Sequence, residues 1–129
     1  MEEFETIVGE AFDRLPDWVR RKVQNVAIIA EEVVDDETVR DMELESNMDL
    51  LGLYRGVPLV ERESSAGLAF PDVISLYRLP IEEESAESGK PVRDVAYETL
   101  WHEIAHHFGL DEDAVERREG EEFGAPPTA

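Results

Sequence analysis

The sequence predicts an α+β fold: two N-terminal helices, a small sheet of three or four strands, and a further helix late in the chain. Apolar residues recur at helical spacing near both ends, and short runs rich in β-branched residues lie between them. A chain of 129 residues suits one domain, which we expect to span residues 1–119. Residues 120–129 are rich in Gly and Pro and are expected to be a disordered tail.

The first helix is predicted from an apolar stripe, and Pro16 separates it from the second helix. The stripe consists of Phe4, Ile7, Val8, Ala11, Phe12 and Leu15. The apolar residues of the second helix are expected to be Trp18, Val19, Val23 and Val26. Residues 25–34 follow, rich in Val and Ile, and predict a buried strand. A polar break at residues 35–37 then offers a cap for a short helix around residues 39–42.

Two more strands are predicted, over residues 50–54 and 71–78. The second lies between Pro71 and Pro80, and proline favours an edge position in a sheet. Residues 82–89 are acidic and Ser-rich, which predicts a loop. Pro91 then suits the first turn of the last helix, and Gly109 suits its end. The core-facing row of that helix is Val92, Ala96, Leu100, Ile104 and Phe108.

The composition excludes several classes of site and partner. Acidic residues outnumber basic ones by 32 to 12, and the formal charge of −20 repels phosphate backbones and anionic membranes. We therefore expect neither nucleic acid nor a membrane as a partner. The N-terminus lacks the apolar segment of a signal peptide, and no apolar run reaches the roughly 20 residues that span a bilayer, which predicts a cytoplasmic protein. Because the chain has no Cys, any metal must be held by His, Asp or Glu.

All three histidines fall within residues 102–107, which read HEIAHH. His102 and His106 are four positions apart, so on a helix both imidazoles project from one face and can bind one ion. Glu103 lies beside the first imidazole, from where its carboxylate can reach a metal-bound water rather than the metal. This is the HExxH arrangement of zinc hydrolases. It predicts a Zn²⁺ site with His102 and His106 as ligands and Glu103 as general base and acid.

A third ligand is predicted from the glycine that follows the motif. Gly109 extends the pattern to HExxHxxG, in which the chain turns and returns a ligand three residues later. That position holds Glu112, and a carboxylate is an adequate zinc ligand. Asp111 and Asp113 flank it and are further candidates. The other role open to Glu112 is to cap a short helix over residues 113–118.

Other residues near the motif have less specific predictions. His107 points about 100° away from His106 on a helix, so we expect it at the rim of the site rather than on the metal. Trp101 is expected to pack in the core. A tyrosine hydroxyl could stabilise an oxyanion, but the spacing does not distinguish among Tyr54, Tyr77 and Tyr97.

Three stretches have a more specific pattern: LGLYRGVPL at residues 51–59, PDVISLYR at 71–78 and HEIAHHFGL at 102–110. Together they resemble a bacterial family of small zincin-like metallopeptidases, over residues 4–113. The resemblance implies a minimal zincin fold, in which a small mixed sheet packs on helices with the HExxH helix behind the cleft. It also implies an acidic third ligand at Glu112 and an edge strand that binds an extended peptide. The strand that matches holds the expected substrate-binding residues Val73, Ile74, Ser75, Leu76 and Tyr77.

The predicted function is therefore zinc-dependent hydrolysis of peptide bonds in a peptide or protein substrate. Mn²⁺, Co²⁺ or Ni²⁺ could also occupy such a site. One alternative is a metal-binding regulatory or peptide-binding module with little turnover, since so short a chain has few loops with which to build a specific cleft. Peptide deformylases share HExxH but need a Cys ligand, which this chain lacks. A gluzincin-like site would take its third ligand from a later helix, at Glu116 or Glu119. Metzincins carry a later Met-turn, whereas this chain has no Met after Met48.

Overall fold

The computed structural model describes residues 1–56 and 72–108. The elements, in chain order, are helices α1 (Glu2–Arg14) and α2 (Asp17–Lys22), strand β1 (Val26–Glu31), helix α3 (Asp36–Asp41), strands β2 (Gly52–Arg55) and β3 (Asp72–Tyr77), and helices α4 (Arg78–Ser88) and α5 (Val92–His107). The α+β prediction is confirmed. No helix in this part of the chain is both long and apolar enough to cross a membrane. The predicted tail lies outside the described residues, and the domain span of residues 1–119 stays a prediction.

The three strands form one mixed sheet in the order β1–β3–β2. Strand β3 pairs in parallel with β1 and antiparallel with β2. The edge position predicted for residues 73–77 is therefore wrong, because β3 is the central strand. The prolines are compatible with a central strand, since Pro71 precedes it and Pro80 belongs to helix α4, so neither has to donate a hydrogen bond within the ladder.

Besides small shifts at the ends of the strands and of α3, two elements differ from the sequence prediction. Residues 82–88 form most of helix α4 rather than a loop. Glu and Ala are good helix formers, Arg78 forms an ion pair with Glu82 one turn later at 3.1 Å, and Gly89 ends the helix with a φ of 80°. The second helix ends at Lys22, so Val26 begins β1 instead of lining that helix.

The core lies between helix α1, helix α5 and one face of the sheet. Helix α5 contributes the predicted row, of which Ala96, Leu100 and Ile104 are completely buried. Trp101 packs in the same core as predicted, with its ring centroid 6.3 Å from that of Trp18. This packing fixes which side of α5 is turned inward, and it leaves the other side for the polar residues of the HExxH segment.

Candidate metal centre

The HExxH segment occupies the C-terminal part of helix α5. Ile104 and Ala105 of the segment are buried, whereas His102 and His106 are exposed. The Glu103 side chain is only 18% exposed, so the general-base candidate is the most shielded of the three motif residues. The structure therefore places His102, Glu103 and His106 in the last turns of one helix, with both imidazoles exposed and Glu103 partly buried, and their predicted roles stay predictions.

Helix α5 approaches strand β2 closely at Gly52. A Cβ atom on this residue would lie 2.8 Å from the Cγ2 atom of Thr99 on the helix. Only a residue without a side chain allows strand and helix to approach this closely without a shift. The close approach places the next residues of β2 beside the HExxH segment.

The Glu103 carboxylate is held by strand β2. Its Oε1 atom accepts a hydrogen bond of 3.0 Å from the backbone N–H of Tyr54. The N–H of Tyr77 donates to the carbonyl of Leu51, so residue 51 forms a hydrogen-bonded pair with β3. Such pairs alternate along an antiparallel ladder, so the backbone groups of residues 53 and 55 also face β3 and those of residue 54 face away. The Tyr54 N–H therefore lies on the side of the strand where it can donate to Glu103.

The Tyr54 side chain also contacts helix α5. Its ring stacks on the His107 imidazole, with a centroid distance of 4.5 Å and an angle of 13° between the planes. Its hydroxyl donates to Oδ2 of Asp72 at 2.7 Å. The His107 Nε2 atom lies 3.9 Å from Oε1 of Glu103. His107 thus lies beside the general-base candidate, and its place at the rim of a metal site stays a prediction.

Among the three tyrosines that could supply a hydroxyl, Tyr54 contacts Glu103 and His107. Tyr77 and Tyr97 are buried, at 0% and 3% exposure. The Tyr97 hydroxyl accepts a hydrogen bond from the indole N–H of Trp101 in the core. Sequence reasoning did not find the contact between Tyr54 and Glu103. The only signal was that Tyr54 lies within the LGLYRGVPL stretch on which the family resemblance partly rests.

Two of the three predicted metal ligands lie in the part of the chain that the structure describes. His102 and His106 lie within the described residues, whereas Glu112 and its neighbours Asp111 and Asp113 lie outside them. Within residues 1–56 and 72–108, no group of three His, Asp or Glu side chains could hold a metal ion. Two exposed imidazoles one helical turn apart are a donor pair that fits zinc, whose catalytic sites use three protein ligands. The residues present therefore fit a zinc ion if a third ligand comes from elsewhere in the chain.

The predicted substrate strand does not lie where a peptide could pair with it. Ile74, Ser75, Leu76 and Tyr77 are each at most 1% exposed, in the middle of the sheet. The strands on both sides of β3 already pair with residues 73–76. Substrate binding was expected at an edge strand. In the described sheet, the edge strand beside the HExxH helix is β2.

A model of the family described as zincin-like metallopeptidase matches residues 23–122 of the chain. No curated protein matches the chain significantly. The matched span contains all three strands, helix α5 with its HExxH segment, and the position of Glu112.

Proposed function

The chain belongs to the zincin-like metallopeptidase family, and we propose that it is a zinc-dependent peptidase. The observation that carries the proposal is the arrangement on helix α5, where His102 and His106 are exposed and Glu103 is shielded and held by strand β2. Two accessible imidazoles can bind a metal while a nearby oriented carboxylate handles protons. This combination is what zinc-dependent hydrolysis of an amide bond uses.

The proposed zinc ligands are His102, His106 and Glu112. Glu112 is included because the turn expected at Gly109 returns the chain toward the helix, and because carboxylates bind zinc well. When bound, zinc would increase the acidity of a water molecule so that it ionises near pH 7, and it would polarise the scissile carbonyl.

Glu103 is proposed to accept a proton from the attacking water and to deliver it to the leaving amine. A carboxylate has two oxygens and about four lone-pair positions, so the bond from the Tyr54 N–H leaves acceptor capacity for the water. The bond also restricts rotation of the carboxylate. Glu103 is therefore oriented before substrate arrives, which lowers the cost of reaching the reactive geometry.

The substrate is proposed to be an extended peptide that binds alongside β2. Among the described strands, β2 is the edge strand next to helix α5, while β1 is the edge on the far side of the sheet. Pairing of a peptide with a sheet edge supplies backbone hydrogen bonds that do not depend on sequence. Because the Tyr54 N–H is taken by Glu103, a peptide would pair with the other outward-facing backbone groups of β2, those of Gly52 and the Tyr54 carbonyl. The formal charge of −20 favours peptides that contain Lys or Arg, so the substrate library should include them.

The proposal is tested by zinc analysis together with peptide cleavage. Purified protein should contain about one zinc per chain, and His102→Ala or His106→Ala should lose it. His107→Ala is the matched control and should keep the metal. Zinc-loaded protein should cleave members of a peptide library, as followed by mass spectrometry. A chelator should abolish cleavage and added zinc should restore it.

Two outcomes would overturn the peptidase proposal. Protein that remains metal-free after incubation with zinc would exclude the site. Protein that binds zinc and peptides but cleaves none of the library would be a metal-binding or peptide-binding module rather than an enzyme.

A further inference from the structure

We infer that Tyr54 is a positioning residue that orients the Glu103 carboxylate. The inference rests on the proposed role of Glu103 as general base, and it adds a residue that does not itself touch the reacting atoms. It follows from three contacts of Tyr54, of which two join the edge strand β2 to Glu103 and His107 of helix α5 and the third joins β2 to the first residue of strand β3.

The first contact is direct. The Tyr54 N–H donates to Oε1 of Glu103 at 3.0 Å. A hydrogen bond to a charged acceptor is stronger and more directional than one between neutral groups. The position of the strand at residue 54 therefore determines the direction in which the carboxylate points.

The second and third contacts fix that strand position through the Tyr54 side chain. Its ring lies flat on the His107 imidazole, one helical turn after Glu103, at 4.5 Å. Its hydroxyl is held by Asp72, the first residue of the central strand, at 2.7 Å. The side chain thus connects the start of β3 to the end of α5, and the N–H of the same residue holds Glu103 between them.

The variants separate these contacts. Tyr54→Phe removes the hydroxyl that donates a hydrogen bond to Asp72 but keeps the ring stacked on His107. Tyr54→Leu removes both the hydroxyl and the stacked ring, while the backbone N–H remains. Leu53→Ala is the matched control, because neighbouring side chains on a strand point to opposite faces and the Leu53 backbone groups face β3. It shortens an adjacent side chain without changing either contact of Tyr54.

Hydrogen exchange of the metal-free protein tests the inference without any assay of activity. The amide of residue 54 should be protected in wild type. Glu103→Ala should lower its protection factor about tenfold, as expected for loss of one hydrogen bond to a charged group. Tyr54→Leu should lower it similarly and Tyr54→Phe by less, whereas Leu53→Ala should leave it unchanged. The amides of Leu53 and Arg55 face β3 and should stay protected in all variants.

Kinetics of the zinc-loaded protein supply the second test. Tyr54→Leu should lower kcat about tenfold or more, with KM and zinc content unchanged, because a misdirected base slows the chemical step. In a Glu103→Gln background the same substitution should have no further effect, since Tyr54 acts through Glu103. A purely structural residue would lower kcat by the same factor in both backgrounds, and this result would overturn the inference.

The two tests also distinguish this inference from the proposed function. Absence of turnover in wild type would count against the peptidase proposal, and the exchange experiment would still decide the role of Tyr54. If the residue 54 amide is no better protected in wild type than in Glu103→Ala, the inference is wrong whether or not the protein cleaves peptides.

Discussion

Replacing Gly52 by Ala tests how closely helix α5 must approach strand β2. The new Cβ would lie 2.8 Å from Cγ2 of Thr99 and 3.2 Å from both Cδ2 of Leu76 and the carbonyl oxygen of Ser75. Carbon atoms are at their best separation near 3.5–4.0 Å, so the first contact is too short by at least about 0.7 Å. Thr99 cannot rotate its methyl away without breaking the 2.7 Å bond from its hydroxyl to the carbonyl of Val95. Strand and helix must therefore separate.

The expected effect is a net loss of about 1–2 kcal/mol in the free energy of unfolding. Overpacking of this kind costs about 1–3 kcal/mol. Replacing Gly by Ala restricts the unfolded chain and returns about 0.4–1 kcal/mol where the backbone is compatible. Gly89 is the only described glycine with a positive φ, so Ala can adopt the backbone of residue 52 and the loss is steric.

Urea unfolding followed by tryptophan fluorescence measures this loss. Thr99→Ser is the informative second substitution, because it deletes the clashing methyl and keeps the hydroxyl. In the Gly52→Ala background it should restore part of the lost stability. Gly9→Ala on helix α1 is the control: its Cβ would meet no atom within 4 Å, so it should stabilise the protein by about 0.5–1 kcal/mol. A Gly52→Ala variant as stable as wild type would refute the reasoning.

Three further predictions concern other parts of the protein. The buried Tyr77 hydroxyl makes no hydrogen bond of normal length among the described residues, and the Ser75 side chain lies near it. Tyr77→Phe should therefore change the free energy of unfolding in urea by less than about 1 kcal/mol, and a larger loss would contradict this. Burial raises the pKa of the Tyr77 hydroxyl above its ordinary value of 10, so the unfolded chain releases this proton at lower pH than the folded protein does. The free energy of unfolding of wild type should therefore fall as pH rises above 10, and that of Tyr77→Phe should fall less. Asp35→Ala removes the 2.7 Å cap bond from the Thr38 N–H and should lower the urea midpoint at pH 7. Hydrogen bonds from Thr38 hold the pKa of Asp35 at about 2. The stability difference between wild type and Asp35→Ala should therefore shrink as pH falls from 3.8 toward 2, and a difference that stays constant would contradict this role of Asp35. Glu112→Ala should weaken zinc affinity more than Asp111→Ala in competition with a chelator; equal effects would reject Glu112 as ligand.

Local sequence patterns predicted the elements that depend on local spacing. The apolar stripe of helix α1 and the row from Val92 to Phe108 each follow from the helical period, and the structure has a helix at both places. The positions of His102 and His106, about one turn apart on helix α5, follow from the same period. Helix α4 was missed because it has no apolar stripe: only Pro80 and Ile81 of its residues are buried, so its acidic composition indicated a loop.

The remaining features depend on residues far apart in the chain. The central position of β3 is set by its two partner strands, which no local feature of residues 71–78 reveals. The bond between Tyr54 and Glu103 joins residues 49 positions apart and uses a backbone N–H, a group that every residue except proline has. No residue type marks such a contact, so only the fold shows that β2 holds the general-base candidate.

The most direct test of the account is Glu103→Gln, assayed for zinc content, melting temperature and peptide cleavage. Gln has nearly the same shape, and its carbonyl oxygen can still accept the Tyr54 N–H, but it lacks the basicity of a carboxylate. Zinc content and melting temperature should therefore change little, while cleavage should fall by about 10²–10⁴-fold. A zinc-loaded Glu103→Gln protein that cleaves peptides at the wild-type rate would contradict the proposed mechanism.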